Sequence, residues 1–414
     1  MKIRLKRHFG LSFKDLYFNI AMFCVVTFAL LESASISVPI VSMIKNPIML
    51  LGGICILTQL GFFLKVLRKK RYFFIIAMLM LMVGFLFLSA YYNKNPKIGS
   101  SPLKDTIRLC SFWVELMFLM IWTAETGKLN KLLNFVFYYM LSLTILTDLL
   151  LFTRIKTFSD GHFETYLIGT KFTVVYFHMN LMVLWYVKNK GRFRSDKKAR
   201  RVIYWGMPLA FITSIWVDCM SGLLGCAVLF VLLWIMEKPI QKKLLRLTSH
   251  WMLLLAMFVS ILFPFVAESI LEIPFVTFVV EDILGRNTDL TGRLNIFLAY
   301  TRQMEGHWLW GFGYGNGNIV ATTLFGYANA QNALLHWTLQ IGVPATLCLV
   351  TLLVMIFKQF SNVQDKSRTL PFVALIYMYI ILGMVETTFS MSLFMWFGIV
   401  FLQNNDQGQI STHN

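Results

Sequence analysis

Residues 268–332 form the long polar, glycine-punctuated and charged stretch of an otherwise apolar sequence, and its side chains could act on a charged substrate. Asp289-Leu290-Thr291-Gly292-Arg293 comes first, and Gly311-Phe312-Gly313-Tyr314-Gly315-Asn316-Gly317-Asn318 follows. Asp289 or Thr291 suits a helix cap, because a short oxygen side chain satisfies the free N–H groups of a first turn. The helix that follows, from about 292 to 305, puts Arg293, Phe297, Tyr300 and Met304 on one face. Arg293 then sits in the first turn, where the helix dipole disfavours a cation. An external anion would account for it, since a guanidinium fork grips two phosphate oxygens at once. The alternative is an ion pair with Glu281, Asp282 or Asp289. Arg302 faces the opposite way and can pair with Glu305 at i+3.

The glycines at 311, 313, 315 and 317 alternate, and no strand–turn–helix surrounds them, which excludes a dinucleotide fingerprint. Such a turn can still offer backbone N–H groups to an anion, or let the chain turn back toward a membrane. Asn316, Asn318, Asn329, Gln331 and Asn332 crowd the same region with amides. Amides of this kind hold sugar hydroxyls, although polar loop tips have the same composition.

The elements that must position these residues are apolar. Of 414 residues, 57% are hydrophobic and 14% charged, and mean hydropathy is +0.66. Soluble domains carry about 25% charged residues. Runs long enough to cross a bilayer as helices recur along the chain. We expect an all-α polytopic integral membrane protein forming a single membrane domain over residues 1–414, with about twelve transmembrane helices. The spans fall near 15–40, 47–66, 72–92, 106–126, 132–153, 166–187, 202–218, 222–237, 250–268, 332–357, 371–387 and 389–403. A basic head before the first run also resembles a signal peptide. An uncleaved first span is preferred, because many more spans follow.

The net charge of +18 does not imply nucleic acid. With the N-terminus inside, 27 of the 38 Lys and Arg residues fall on the inner loops and 11 on the outer ones. That is the positive-inside pattern, and the basic clusters also touch anionic lipid. Both termini are then cytoplasmic, and two loops lie outside, at residues 154–171 and 268–331, the larger between spans 9 and 10. Residues from 269 to 284, with Pro274 in the middle, read as a broken amphipathic helix along the outer surface. Trp251, Trp308, Trp310 and Trp337 read as an interfacial belt. The six cysteines lie in apolar spans without metal spacing. Glu32, Asp148, Asp218 and Glu386 map near the outer edge, where ionisable groups are costly and usually functional or paired. Glu115 and His178 lie deeper and read as packing residues.

Taken in order, Thr291-Gly292-Arg293, a helix, Trp310-Gly311-Phe312-Gly313-Tyr314-Gly315, Ala330-Gln331-Asn332-Ala333-Leu334-Leu335 and Ile341-Gly342 resemble the signature loop of the O-antigen ligase / polysaccharide polymerase (Wzy-type) superfamily. The close motif spans about 289–342, and the late external loop fits as well. Tyr166-Leu167-Ile168-Gly169-Thr170-Lys171 resembles the family's Gly-x-Lys step, and Val385-Glu386-Thr387 its acidic residue near the penultimate span. Two positions depart from the pattern. The family's His-Asn is Gln331-Asn332 here, with His336 one turn later. Its Ser-Arg step appears as Met220-Ser221-Gly222, without the arginine.

The resemblance implies transfer of sugar chains from undecaprenyl diphosphate to an acceptor hydroxyl, at the outer face of the bacterial plasma (inner) membrane. A diphosphate leaving group needs cations, and Arg293 is the first candidate, then Lys171, with Arg154 and Arg302 behind. The acceptor hydroxyl needs a base, for which Glu386 ranks first and His336 and His307 follow. Gly313, Gly315 and Asn332 would bind substrate. Without a DxD-type acidic motif, no metal or cofactor is expected. The expected partners are the undecaprenyl-diphosphate-linked oligosaccharide, membrane lipids, a flippase and a chain-length regulator. The resulting expectation is a polymerase of lipid-linked repeat units for capsule, exopolysaccharide or O-antigen. A ligase with another acceptor, or a non-catalytic flippase or transporter, is the alternative.

Overall fold

The computed structural model describes residues 13–32, 38–153, 158–159, 164–189, 197–236, 244–278, 281–282, 293–361 and 369–410. Helices dominate because a chain this apolar must pair its backbone groups within each segment. In order they are α1 (Phe13–Leu31), α2 (Pro39–Leu57), α3 (Leu60–Leu67), α4 (Lys70–Tyr92), α5 (Leu103–Glu125) and α6 (Leu129–Phe152). Then come α7 (Lys171–Lys188), α8 (Lys197–Trp216), α9 (Met220–Met236), α10 (His250–Leu271), α11 (Pro274–Phe278) and α12 (Arg293–Gln303). The last four are α13 (Gly317–Phe325), α14 (Ala333–Ser361), α15 (Leu370–Leu382) and α16 (Met391–Ile410). Seven of them, α1, α2, α4, α5, α6, α10 and α14, are long and apolar enough to cross a membrane. α9, α15 and the first part of α16 are shorter apolar helices.

α15 is the hub. It is buried along nearly all of its length and packs on α7, α9, α10 and α16. α16 in turn packs on α5 and α14, and α4 packs on α14. Peripheral helices turn large apolar side chains outward, among them Ile40, Met43, Leu50 and Leu57 of α2. Hydrocarbon, unlike water, accepts such a face at no cost.

The two ends of the bundle differ. At one end Glu125 receives Lys69, Arg71 and the Tyr72 hydroxyl, and Lys128 meets Asp15 at 2.6 Å. The Gln359 amide donates to the Arg71 carbonyl at 2.7 Å. These contacts lie beside the loops that the charge pattern assigns inside. At the other end, residues 293–332 form a packed cap rather than an open loop. Tyr300, Met304, Phe312 and Val320 share an apolar cluster with Leu335 and Leu339 of α14. Ile296 and Phe297 pack on Ala267.

Several expected boundaries move. α1 ends at Leu31, and α2 already begins at Pro39, so Lys45 belongs to a helix. α10 runs on to Leu271 and is followed by the exposed short α11, so the surface helix expected from 269 is only partly present. Within the expected outer loop 154–171, the described residues form three short antiparallel strands, β1 (Phe158–Ser159), β2 (Glu164–Tyr166) and β3 (Gly169–Thr170), which lead into α7. Trp337 is no belt residue. It is buried, and its indole N–H donates to the Phe389 carbonyl at 2.9 Å.

α14 breaks at Gly342, where φ is 78° and ψ 170°. The break admits residues 308–312: the Val343 N–H donates to the Trp308 carbonyl and the Phe312 N–H to the Leu339 carbonyl, each at 2.8 Å. A Cβ at Gly342 would collide with the Leu309 carbonyl oxygen and adopt a disfavoured backbone conformation. Gly342→Ala is therefore expected to cost more than about 2 kcal/mol. It should lower the detergent-solubilised melting temperature and membrane yield, which thermal shift and blotting would read.

Candidate active site

Arg293 is the first residue of α12. The carboxylate it meets is not one of the expected loop acids. Its Nη2 donates to Glu386 Oε1 at 2.6 Å, and its Nε donates to Gln331 Oε1 at 2.9 Å. Glu386 lies 93 residues away in the link between α15 and α16. A charge-assisted bond of this length offsets the unfavourable dipole of the first turn. Gln331, standing where the family pattern has histidine, supplies an acceptor that steers the guanidinium.

The link that carries Glu386 is pinned on several sides. The Ala333 N–H donates to the Gly383 carbonyl at 2.8 Å. The Asn332 amide donates to the carbonyls of Met384 at 3.2 Å and Ser260 at 2.8 Å, while its oxygen caps the Leu335 N–H at 3.0 Å. The Thr388 hydroxyl donates to the Tyr379 carbonyl at 2.6 Å. Asn332 is thus fully buried with its amide consumed, and it holds the site rather than binding substrate. Removing it strands three buried backbone groups, each costing about 1–3 kcal/mol. Asn332→Ala should lower thermal stability by that order and loosen Glu386, which a melting curve in detergent would read.

Lys171 opens α7 and reaches the same corner. Its Nζ donates to the Asp218 carbonyl at 2.8 Å and lies 3.6 Å from Asp218 Oδ2. Asp218 has φ of 51°, an uncommon backbone state that turns its carbonyl toward the lysine. Glu386 feels both cations. Burial pushes its carboxyl up to about 7, and Arg293 and then Lys171 pull it back. The buried Tyr176 hydroxyl, on α7, has no hydrogen-bond partner among the described residues. Sequence reasoning missed Tyr176, because a tyrosine in an apolar run gives no polar signal.

Other candidates lie apart. Arg302 is exposed, and no ion pair to Glu305 occurs among the described residues. Arg302→Ala should change stability by no more than about 0.5 kcal/mol, the range of ordinary surface substitutions, as a melting curve in detergent would read. Arg154, Asp289, Thr291 and Gly292 lie outside the described residues. His307 stacks on Phe312 at 3.9 Å. Gly313 fits against Pro102, and Gly315 against Asp105, with the Gly315 N–H donating to Gln340 Oε1 at 3.1 Å. These glycines seat the cap on α5 and α14, so the Gly315 amide is not free to hold an anion. His178 meets Asp148 at 3.2 Å, a pair buried within the bundle.

His336 is half-buried in α14. It receives the Ala330 N–H on Nδ1 at 3.5 Å, which assigns the remaining proton to Nε2. Such a tautomer is a donor, which argues against its role as a base. His336 lines a polar cavity of about 350 Å³ with Glu32, Asp105, Arg108, Tyr314 and Gln340. No protein-family model, curated protein or solved structure matches the chain.

Proposed function

We propose that this protein is a glycosyltransferase of the outer face of the bacterial plasma membrane, joining undecaprenyl-diphosphate-linked oligosaccharide units into longer chains. The observation that carries the reading is the Arg293–Glu386 pair, with Lys171, held on Asp218, close enough for its charge to act on the same carboxylate. Two cations and a carboxylate, drawn from three remote segments, lie together at the end opposite the basic loops. The positive-inside rule assigns that end to the outside. Twelve crossings, as expected from the sequence, would place both termini in the cytoplasm and give the same orientation. The motif resemblance over residues 289–342 supports the substrate class.

The chemistry follows from the side chains. Arg293 and Lys171 neutralise the charge that grows on the diphosphate as the bond from sugar carbon to phosphate oxygen breaks. Glu386 takes the proton of the acceptor hydroxyl, whose oxygen forms the new glycosidic bond. In this structure Glu386 is held by Arg293. A diphosphate that draws Arg293 to itself removes that counter-charge, so substrate binding makes the buried carboxylate a stronger base. Donor binding and base activation are thereby coupled.

The test is the length distribution of lipid-linked glycans in cells lacking this protein, with and without the wild-type gene restored. Single units accumulating outside, and long chains returning with the gene, support the polymerase. Long lipid-linked chains accumulating instead identify a ligase. Units trapped on the cytoplasmic face identify a flippase and overturn the reading.

A further inference from the structure

We propose that the cavity lined by Glu32, Asp105, Tyr314, His336, Gln340 and Ser390 is a glycan subsite, which holds the hydroxyl-bearing end of the acceptor. This inference rests on the function proposed above and assigns that site its second substrate pocket. Four observations carry it.

The first is position. Ala333, Thr387 and Ser390 line the cavity, and Glu386 immediately precedes Thr387 in the same pinned link. The link therefore carries the Arg293-paired carboxylate and also walls the cavity. A hydroxyl presented from the cavity approaches the link that carries Glu386.

The second is charge. Among the lining residues the acidic and basic side chains are Glu32, Asp105, Arg108 and His336, beside the Tyr314 phenol. Arg108 is already engaged, with Nη1 on Asp105 Oδ1 at 2.8 Å and Nε on Asn46 Oδ1 at 3.1 Å. The lining thus sets two carboxylates against one guanidinium, which disfavours a phosphate. Neutral hydroxyls meet acceptors in Glu32 and Asp105 and donors in His336 Nε2–H and the Asn318 amide.

The third is shape. The volume of about 350 Å³ lies in the range of small-ligand sites and suits one or two sugar rings. Tyr314 and Trp337 lie side by side at one wall, their ring centroids 5.7 Å apart. An aromatic wall beside a few fixed polar groups is how a site takes a ligand with one apolar and one hydroxylated face.

The fourth is rigidity. Gln340 is fixed by the Gly315 N–H, His336 by the Ala330 N–H, and Trp337 by the Phe389 carbonyl. Polar groups held in place without substrate discriminate strongly among hydroxyl patterns, because a missing hydroxyl leaves one of them unpaired.

The experiment uses the six native cysteines, all buried, as a silent background. Asn318 is exposed, lines the cavity and has no side-chain hydrogen bond among the described residues. Asn318→Cys should react with a membrane-impermeant maleimide added outside intact cells. Oligosaccharide released by mild acid from the cells' own lipid-linked units should then slow labelling at least fivefold in right-side-out vesicles. Inorganic pyrophosphate should not slow it. A second probe, Thr387→Cys, should be protected in the same way. Absence of labelling from outside, or equal labelling with and without oligosaccharide at both positions, overturns the subsite. Protection by pyrophosphate in place of oligosaccharide also overturns it. None of these readouts needs turnover. A failed subsite with normal dependence of chain growth on Arg293 would leave the proposed function standing, whereas protected cysteines without chain growth in any assay would sink that function alone.

Discussion

Arg293→Ala is expected to stop glycan chain growth while the protein remains inserted and folded. The side chain is steered by both a carboxylate and an amide, through Glu386 and Gln331. Losing a preorganised group aimed at developing charge costs about 10²–10³-fold in rate. The fold should survive the change. Removing Arg293 leaves Glu386 buried without its nearest counter-charge, a situation that is costly only while the carboxyl is ionised. Burial already pushes that group up to about 7, so it escapes the cost by binding a proton. Arg293→Lys keeps the charge but loses the fork, and should retain about a tenth of the activity. A ladder of lipid-linked glycans on a gel, read beside a melting curve in detergent, checks both. Full-length chains from the alanine variant would remove Arg293 from the mechanism.

The helices were legible because a bilayer imposes a length and a polarity on every crossing. What tertiary contacts decide was not. The apolar run 371–387 reads as one span, since Met384 and Val385 suit a helix in lipid. α15 nevertheless stops at Leu382, because Asn332 and Ala333 capture the carbonyls of Met384 and Gly383. Arg293 announced itself as a cation in a first turn, a local anomaly. Its partner could not be read, as no periodicity links residues 93 apart. Glu386 was reached through the resemblance instead. Gln331 looked like a lost histidine, and the structure gives it a different use, as an acceptor for the arginine. His336 looked like a substitute base, but the Ala330 N–H occupies its Nδ1. The cavity had no sequence signature at all. Its walls come from five segments, and only packing brings Glu32, Asp105, Tyr314, His336 and Ser390 around one space.

Glu386→Gln should separate activity from stability, because the two want opposite forms of the carboxyl. Between its ordinary 4.5 and about 7, Glu386 binds a proton more tightly in the folded protein than in the unfolded chain. Where the native state holds more protons, stability falls as pH rises. The contribution of this group is therefore greatest below 4.5 and is lost as pH climbs through about 7. Proton abstraction runs the other way, since only the ionised carboxylate accepts a proton. Transfer should rise with pH through and above about 7, because its acidic limb reports the substrate-bound value of Glu386, shifted further upward once the diphosphate draws Arg293 away. Glutamine cannot ionise. The variant should lose about 10²–10⁴-fold in transfer and show a flatter dependence of melting temperature on pH between 4.5 and 7. Both curves can be measured on one detergent preparation. A glutamine variant that still transfers at the wild-type rate would exclude Glu386 as the base. A lost rate with an unchanged stability slope would mean that the raised proton affinity belongs to another group. The two outcomes are independent because one reads the carboxylate against the acceptor hydroxyl, and the other reads it against water.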